Sequence, residues 1–214
     1  MLIDTKRSVL MELVQFRAHK GLFLIKLVGA LEFETSAALA TITSWIKNDR
    51  TINQVVIDLS KATVIDSTNL GLIAQLGLYA RQNHEHLPVL SPGVTPSVKA
   101  TLSRLELNQF YRWIKEDESF DYIENKLIRF LGPQEEPEKQ ICDRAIEAHE
   151  LLMSLSETNK TEFRSVIAGL HIEKALLKAE EHEDLHEEVH VGARLQELEV
   201  NQPWSDKMAR QNLH

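Results

Sequence analysis

Short apolar runs alternate with stretches of helical period along the N-terminal part of the chain. The apolar runs, many of them β-branched, predict five strands, over residues 10–17, 22–28, 54–59, 87–90 and 110–114. Apolar residues spaced three and four apart predict four helices, over residues 34–47, 67–82, 96–105 and 119–130. Because strands that alternate with helices of this length form βαβ units, the pattern predicts an α/β fold with a mostly parallel or mixed sheet.

The switch from the third strand to the second helix falls at Asp66, Ser67 and Thr68. Residues of these types satisfy the free amides at the start of a helix, and such a start is a favourable place for an anion. We therefore expect the hydroxyls of Ser67 and Thr68 to be exposed at a helix N-terminus. Other predicted helix caps are Thr35 or Ser36, and Thr95 directly before Pro96.

A charged stretch with two prolines, residues 132–138, predicts a linker. Beyond it the pattern is helical throughout and begins with a narrow apolar seam, formed by Ile141, Ala145, Ala148, Leu152 and Leu155. Asn159 and Glu162 form a candidate capping box that restarts a helix. We divide the chain into a domain of residues 1–132 and an acidic, all-α C-terminal extension of residues 133–214. The extension has few large apolar residues, so docking on the first domain, self-association as a homodimer and mobility all stay open.

The charge of the chain is unevenly distributed. The formal net charge is −8; residues 1–132 have 15 Lys and Arg against 14 Asp and Glu, a net of +1, and residues 133–214 have 9 against 18, a net of −9. An acidic tail repels nucleic acid, and no basic patch with interleaved aromatic residues occurs, so no nucleic-acid partner is expected. No apolar run approaches the roughly 20 residues that span a bilayer, and the single cysteine excludes an intramolecular disulfide. These features predict a cytoplasmic protein without a membrane span.

Catalytic and cofactor motifs are absent from the sequence. No phosphate-binding glycine loop, serine hydrolase elbow or paired metal motif occurs, so we expect neither an enzyme nor a cofactor. His182, His186 and His190 recur every four residues and are weak candidates for a metal site. The outer two lie about 12 Å apart along a helix, which keeps all three from converging on one ion, so a solvated polar face is the favoured interpretation.

The segments Ile57-Asp58-Leu59-Ser60 and Val64 to Leu72, with Pro96-Ser97-Val98, resemble the bacterial STAS-domain family of anti-sigma factor antagonists. The resemblance spans roughly residues 8 to 130 and implies a mixed β-sheet with helices packed largely on one face. It also implies binding to an anti-sigma factor or serine kinase, which phosphorylates the hydroxyl directly after the aspartate, and reversal by a protein phosphatase. The helical extension, with its Leu-Ser-Glu-Thr-Asn-Lys segment, is similar to that of some proteobacterial antagonists that control motility and biofilm formation.

Carried onto this chain, the resemblance implies that Ser67 is the phosphorylated residue and that Thr68 is a secondary acceptor. The partner-binding loop that it implies consists of Asp58, Asp66, Asn69, Leu70 and Gly71. Asn69 stands where the family usually has glycine, and asparagine tolerates the left-handed or unusual turn conformation that a glycine there would permit.

Two other function classes stay open at this stage. The chain could be a non-switching STAS subunit of a transport or stress complex that binds a constant partner. It could also be a metal or small-molecule sensor that uses the histidine-rich tail. A phosphate on Ser67 or Thr68 would distinguish the switching protein from the assembly subunit, and a sensor would need a ligand that changes stability by linkage.

Overall fold

The computed structural model describes residues 14–83, 88–90, 93–114, 129–131 and 135–200, without the side chains of residues 129, 130 and 181–200. The strands are β1 (Val14–His19), β2 (Leu22–Leu31), β3 (Gln54–Ile65), β4 (Val89–Leu90), β5 (Arg112–Trp113) and β6 (Arg129–Leu131). The helices are α1 (Phe33–Asn48), α2 (Ser67–Asn83), α3 (Pro96–Arg104), α4 (Glu138–Leu155) and α5 (Glu157–Val200), with a 3₁₀ turn at Leu107–Phe110.

The six strands form one mixed sheet in the order β5-β4-β3-β2-β1-β6. Strands β2, β3, β4 and β5 are parallel, and β1 runs antiparallel to both of its neighbours, β2 and β6. Helices α1, α2 and α3 connect the parallel strands, as βαβ units require. The α/β fold class that the alternating pattern predicts is therefore confirmed.

The β1–β2 hairpin turns at Lys20 and Gly21, which both have positive φ, 48° and 82°. Two consecutive residues of positive φ form the tight turn whose twist matches that of the paired strands. The Gly21 carbonyl also accepts the N–H of Asn53, at 2.8 Å, which brings the start of β3 beside the turn. A Cβ at position 21 would lie 2.9 Å from the Asn53 side chain, so both the conformation and the space favour glycine.

Strand β3 is longer than the sequence predicts, and its pairing with β2 is irregular. Lys26 pairs with Asp58 but Val28 pairs with Lys61, and Gly29 pairs with Ala62 but Ala30 with Val64. Each shift inserts one extra residue into β3, which is the definition of a bulge. The residues after Leu59 therefore continue the strand through two bulges and reach the helix start at Asp66.

The sheet buries apolar side chains on both faces, but unequally. Alternate residues of β2, Phe23, Ile25 and Leu27, belong to the main core, which also contains the buried residues of α1, α2 and α3. Leu24 points to the other face, into a small cluster with Val56, Val89 and Ile114. The helices thus pack largely on one face, as the family resemblance implies.

Two element predictions differ from the structure at one end. The helix expected over residues 119–130 does not include its last two residues, because Arg129–Leu131 is strand β6 and pairs with β1; residues 115–128 lie outside the described part of the chain, so the rest of that helix stays a prediction. The start of α1 also differs, since its cap is Glu32 without a side-chain hydrogen bond. Thr35, predicted as a cap, donates its hydroxyl to the Glu32 carbonyl at 2.7 Å from within the first turn, and Ser36 is buried inside the helix.

Residues 135–137 are coil and lead into α4, the first of the C-terminal helices. One compact unit extends to Ile172 and contains α4 and the first part of α5, and a second unit begins at Glu173. Described side chains from Glu173 to Glu180 are mostly exposed. The domain boundary at residue 132 stays a prediction. Among the described residues, no helix has both the length and the apolar composition that crossing a bilayer requires.

The start of α5 corrects the predicted capping box. Ser156 is the cap: its hydroxyl oxygen accepts the N–H of Asn159, at 3.2 Å. Asn159 is fully buried and uses its side-chain amide elsewhere, donating to the carbonyls of Leu105, at 3.2 Å, and Leu152, at 3.0 Å. The prediction fails because a buried amide satisfies two distant carbonyls in place of its own helix end.

Candidate functional site

The junction between β3 and α2 is held by backbone and side-chain hydrogen bonds of Asp66. Its N–H donates to the Leu31 carbonyl, at 2.9 Å, which fixes it beside the end of β2. Its carboxylate Oδ1 accepts the N–H of Asn69, at 2.8 Å. Asp66 therefore caps α2 in the position expected from the sequence, and Ser67 is the first residue of the helix.

The hydroxyl of Ser67 is half-buried and contacts a residue of the C-terminal helices. Its Oγ lies 2.8 Å from Nε2 of His149, on α4. The other ring nitrogen of His149, Nδ1, lies 2.7 Å from the Ala145 carbonyl, which can only accept. Nδ1 therefore carries the hydrogen, and in the neutral ring Nε2 accepts the hydrogen bond that Ser67 donates.

Thr68 is buried, with 8% of its surface exposed. The expectation that both hydroxyls are exposed is therefore wrong for Thr68 and holds only in part for Ser67. The physical reason is long-range packing: the start of α1 and helix α4 both approach the first turn of α2. Such packing leaves no trace in the local sequence of a helix cap.

Asn69 lies within α2 in ordinary helical conformation and does not adopt an unusual turn; among described residues other than glycine, only Lys20 and Glu106 have positive φ. Its Nδ2 lies within hydrogen-bonding distance of the Glu32 carbonyl, at 2.9 Å, of Thr35 Oγ1, at 3.1 Å, and of Asp66 Oδ1, at 3.0 Å. Asn69 is 1% exposed, so these bonds join the starts of α1 and α2 inside the protein.

Gly71 is the point where α4 passes closest to α2. A Cβ placed on Gly71 would lie 2.5 Å from Ala148 Cβ and 2.6 Å from the Ala148 carbonyl oxygen, so only glycine fits without displacement of α4. The preceding residue, Leu70, is buried in the main core. Leu70 and Gly71, two of the five residues that the resemblance assigns to the partner-binding loop, are therefore covered.

Asp58 lies apart from the helix start, in β3 beside the first bulge. Its Oδ2 is 3.4 Å from Lys26 Nζ, and its Oδ1 accepts the N–H of Ser60, at 2.9 Å. The residue is 6% exposed, and the pair of contacts satisfies its charge there.

Burial raises the pKa of Asp66 above its ordinary value. The hydrogen bonds from Asn69 and the neighbouring His149 act in the opposite direction, and Glu34 adds to the rise. Desolvation disfavours the charged carboxylate, so the net effect is a carboxyl that protonates more readily in the folded protein than in the unfolded chain.

Sequence reasoning missed His149. It lies next to Ala148 in the predicted apolar seam, and Ala145 and Leu152 of that seam flank it on the same helix. The signal available in the sequence was a histidine beside the apolar seam, four residues after Ala145. Nothing in the sequence identifies Ser67 as the residue that this histidine contacts. His149 is 4% exposed, and Phe163 of α5 packs on it edge to face, with ring centroids 5.3 Å apart.

The weak metal candidates His182, His186 and His190 lie on α5, but their side chains are outside the described part. Among the side chains that are described, no group of three or more His, Cys, Asp or Glu is placed to hold a metal ion. The favoured interpretation of a solvated polar face stays a prediction.

Comparison with known proteins places the Ser67 junction within a recognised domain. Residues 14–120, half of the chain, match the family model of the STAS domain. Similar solved structures include the anti-sigma factor antagonist SpoIIAA in its unphosphorylated form, with 16% identity, a TM-score of 0.40, and coverage of 53% of this chain and 98% of that chain. Another is the Bacillus cell fate determinant SpoIIAA in the phosphorylated form, with 14% identity, a TM-score of 0.41, and coverage of 51% and 98%. The family match confirms the resemblance drawn from the motifs around Asp58 and Asp66, and this chain belongs to the STAS-domain family.

Proposed function

We propose that this STAS protein is an anti-sigma factor antagonist. In its unmodified form it binds an anti-sigma factor, or the serine kinase that acts as one, and so frees a sigma factor for transcription. Phosphorylation of Ser67 ends the binding, and a protein phosphatase restores it. Control of motility or biofilm formation is the process that the C-terminal extension favours.

The observation that carries the proposal is the position of Ser67. It is the first residue of α2, directly after the cap Asp66 and the end of a buried parallel strand. The free amides and the dipole of a helix start stabilise an anion, so a phosphate there would not by itself unfold the domain. Thr68 is buried where Ser67 is half-buried, so Ser67 is the preferred acceptor and Thr68 the secondary one.

The effect of the phosphate would fall on the partner interface. Phosphorylation adds about −1.5 to −2 charges beside the Asp66 carboxylate, and a partner that covers this surface would have to desolvate them. If that costs about 4 kcal/mol, affinity falls on the order of a thousandfold, since each 1.4 kcal/mol corresponds to a factor of ten. A change of this size is sufficient for a switch.

A binding titration against the cognate kinase, with wild type, Ser67→Ala and Ser67→Asp, tests the proposal. We expect Ser67→Ala to bind like wild type or more tightly and Ser67→Asp to bind more weakly. Ser44→Asp is a matched control, because Ser44 is exposed on α1 and gains the same charge away from the junction. Equal affinity for wild type and both Ser67 variants would overturn the proposed switch.

Mass spectrometry of protein purified from its own cells distinguishes the switch from the alternative of a constant assembly subunit. We expect a phosphate on Ser67, or secondarily on Thr68, in part of the molecules. An assembly subunit needs no such modification. Self-association through the C-terminal helices stays a separate prediction, measurable by sedimentation of the same material.

A further inference from the structure

We propose that residues 138–163, called here the cover, are an intramolecular lid on the Ser67 surface that must be displaced before a kinase or partner can reach that surface. The cover consists of α4 and the first part of α5, and all of it belongs to the compact unit that contains the sheet. The inference rests on the proposed function in one respect, namely that Ser67 is the modified residue.

The first contact of the cover is made at the acceptor atom itself. Ser67 Oγ is hydrogen-bonded to His149 Nε2, at 2.8 Å. A phosphoryl acceptor must present its oxygen to the incoming phosphorus with a kinase base within hydrogen-bonding reach. With His149 in the position of that base and α4 above it, the docked state does not admit a kinase active site.

The second contact is steric and lies one helical turn further along α2. Gly71 faces Ala148 at a distance that leaves no room for a side chain on residue 71. Small residues at a helix crossing allow the backbones to approach closely. The close approach of Gly71 and Ala148 therefore occurs only when α4 is docked on α2.

Polar contacts hold both ends of the cover. Near its start, the Arg144 guanidinium donates to Ser36 Oγ, at 3.0 Å, and pairs with the Glu136 carboxylate. At the α4–α5 corner, the Asn159 amide bonds the Leu105 carbonyl, and Arg104 pairs with Glu162. The cover is thus fixed to α1, α2 and the residues after α3, on either side of Ser67.

Two features of these contacts weaken the docking of the cover. Asn159 Oδ1 is buried without a hydrogen-bond partner among the described residues, which disfavours the docked state. The Arg104–Glu162 pair is exposed to solvent on both side chains, and such pairs contribute little to stability. On the apolar side, Leu152 and Phe163 are buried in the main core, and Leu151, Met153 and Leu155 pack on it partly buried.

Ala148→Leu, made in the chain of 214 residues, tests the cover without any partner. The larger side chain meets the α2 backbone at Gly71, so α4 should undock while the sheet stays folded. Hydrogen exchange read by mass spectrometry should show the amides of the first turn of α2 exchanging about tenfold faster or more than in wild type. Ser154→Leu, on the exposed side of α4, is the matched control and should leave exchange unchanged.

Unchanged exchange in folded Ala148→Leu would overturn the proposal. If circular dichroism shows that Ala148→Leu unfolds the whole chain, the double variant Arg144→Ala with His149→Ala replaces it, with the same expected and opposing results.

Phosphate on Ser67, measured on wild type and variant made in their own cells, then tests the gating. More phosphate on the variant supports the cover, and equal nonzero phosphate contradicts it. No phosphate on either protein counts against the proposed function, whereas the exchange rates still decide the cover.

Discussion

Two helix starts in this protein look alike in sequence and differ in the structure. Helix α2 begins with a cap, Asp66, and a serine, Ser67; helix α3 begins with a cap, Thr95, and carries Ser97 in its first turn. Both caps accept a backbone N–H, at 2.8 Å for Asp66 and 3.4 Å for Thr95. Yet Ser97 is exposed, with its hydroxyl 3.2 Å from that of Thr95, whereas Ser67 lies under α4. The local sequence thus sets the cap, and distant packing sets access to the hydroxyl.

The largest expected effect comes from adding a side chain at Gly71, where α4 lies against α2. Gly71→Ala places a Cβ against the Ala148 backbone and should lower the free energy of unfolding by about 2 kcal/mol, since overpacking typically costs 1–3 kcal/mol. Gly169→Ala on α5 is the matched control, because nothing lies within 4 Å of its Cβ position. A helical glycine without neighbours should gain about 0.5–1 kcal/mol on substitution by alanine. Urea unfolding measures both, and a gain for Gly71→Ala would refute the close contact.

A smaller effect is expected when the two helix caps are each replaced by alanine and their losses of stability are compared. Asp66→Ala removes an acceptor that serves both the backbone and the side chain of Asn69 and should cost about 1–2 kcal/mol. Thr95→Ala removes one longer hydrogen bond and should cost about 0.5–1 kcal/mol. Chemical denaturation of the two variants gives the comparison, and an equal or larger loss for Thr95→Ala would mean that burial adds nothing to the α2 cap.

The smallest effect is a dependence on pH that only the buried cap should show. Because the pKa of Asp66 is raised in the folded state, its contribution to stability is greatest below the ordinary aspartate pKa and is lost as pH rises through the raised value. Asn at position 66 does not ionise, so the stability of Asp66→Asn relative to wild type should increase with pH across that window. His149 and Glu34 face the carboxylate and are kept in both proteins.

Asp49 is the matched control for this experiment. Its hydrogen bonds with Thr51 lower the pKa of its exposed carboxyl, so its contribution is present above the ordinary pKa and lost as pH falls. The stability of Asp49→Asn relative to wild type should therefore decrease with pH, the opposite sign. Denaturation series from pH 3 to 7 would test the pair, and slopes of the same sign would contradict the assignment of a buried, raised pKa to Asp66.

The sequence predicts the elements well where a local pattern determines them. The apolar run that identifies β2, the proline and threonine that open α3, and the aspartate cap of α2 all depend on neighbours within one turn or one strand. Residues 129 and 130 of strand β6 fall in a predicted helix, because their strand conformation depends on pairing with β1, more than a hundred residues earlier in the chain. Strand pairing of that kind cannot be derived from a single segment.

The candidate site, too, could be predicted from the sequence only where a local pattern determines it. Ser67 and its cap follow from the strand-to-helix switch and from the family motif. The burial of Thr68, the hydrogen bonds of Asn69 and the contact with His149 depend on α1 and α4, so they require the tertiary structure. The apolar seam in the extension predicts that another element packs on α4. In the structure that element is α2, which α4 meets at Gly71.

The separation between Ser67 and His149 along the chain has a consequence for newly made protein. The two residues are 82 positions apart, and ribosomes add about 5–20 residues per second, so about 4–16 s pass between the synthesis of the serine and that of the histidine. Once α2 has been made, the nascent chain contains the strand-to-helix junction without the helix that later lies on it. Each molecule therefore begins with an open Ser67 and acquires its closed form only after α4 has been made.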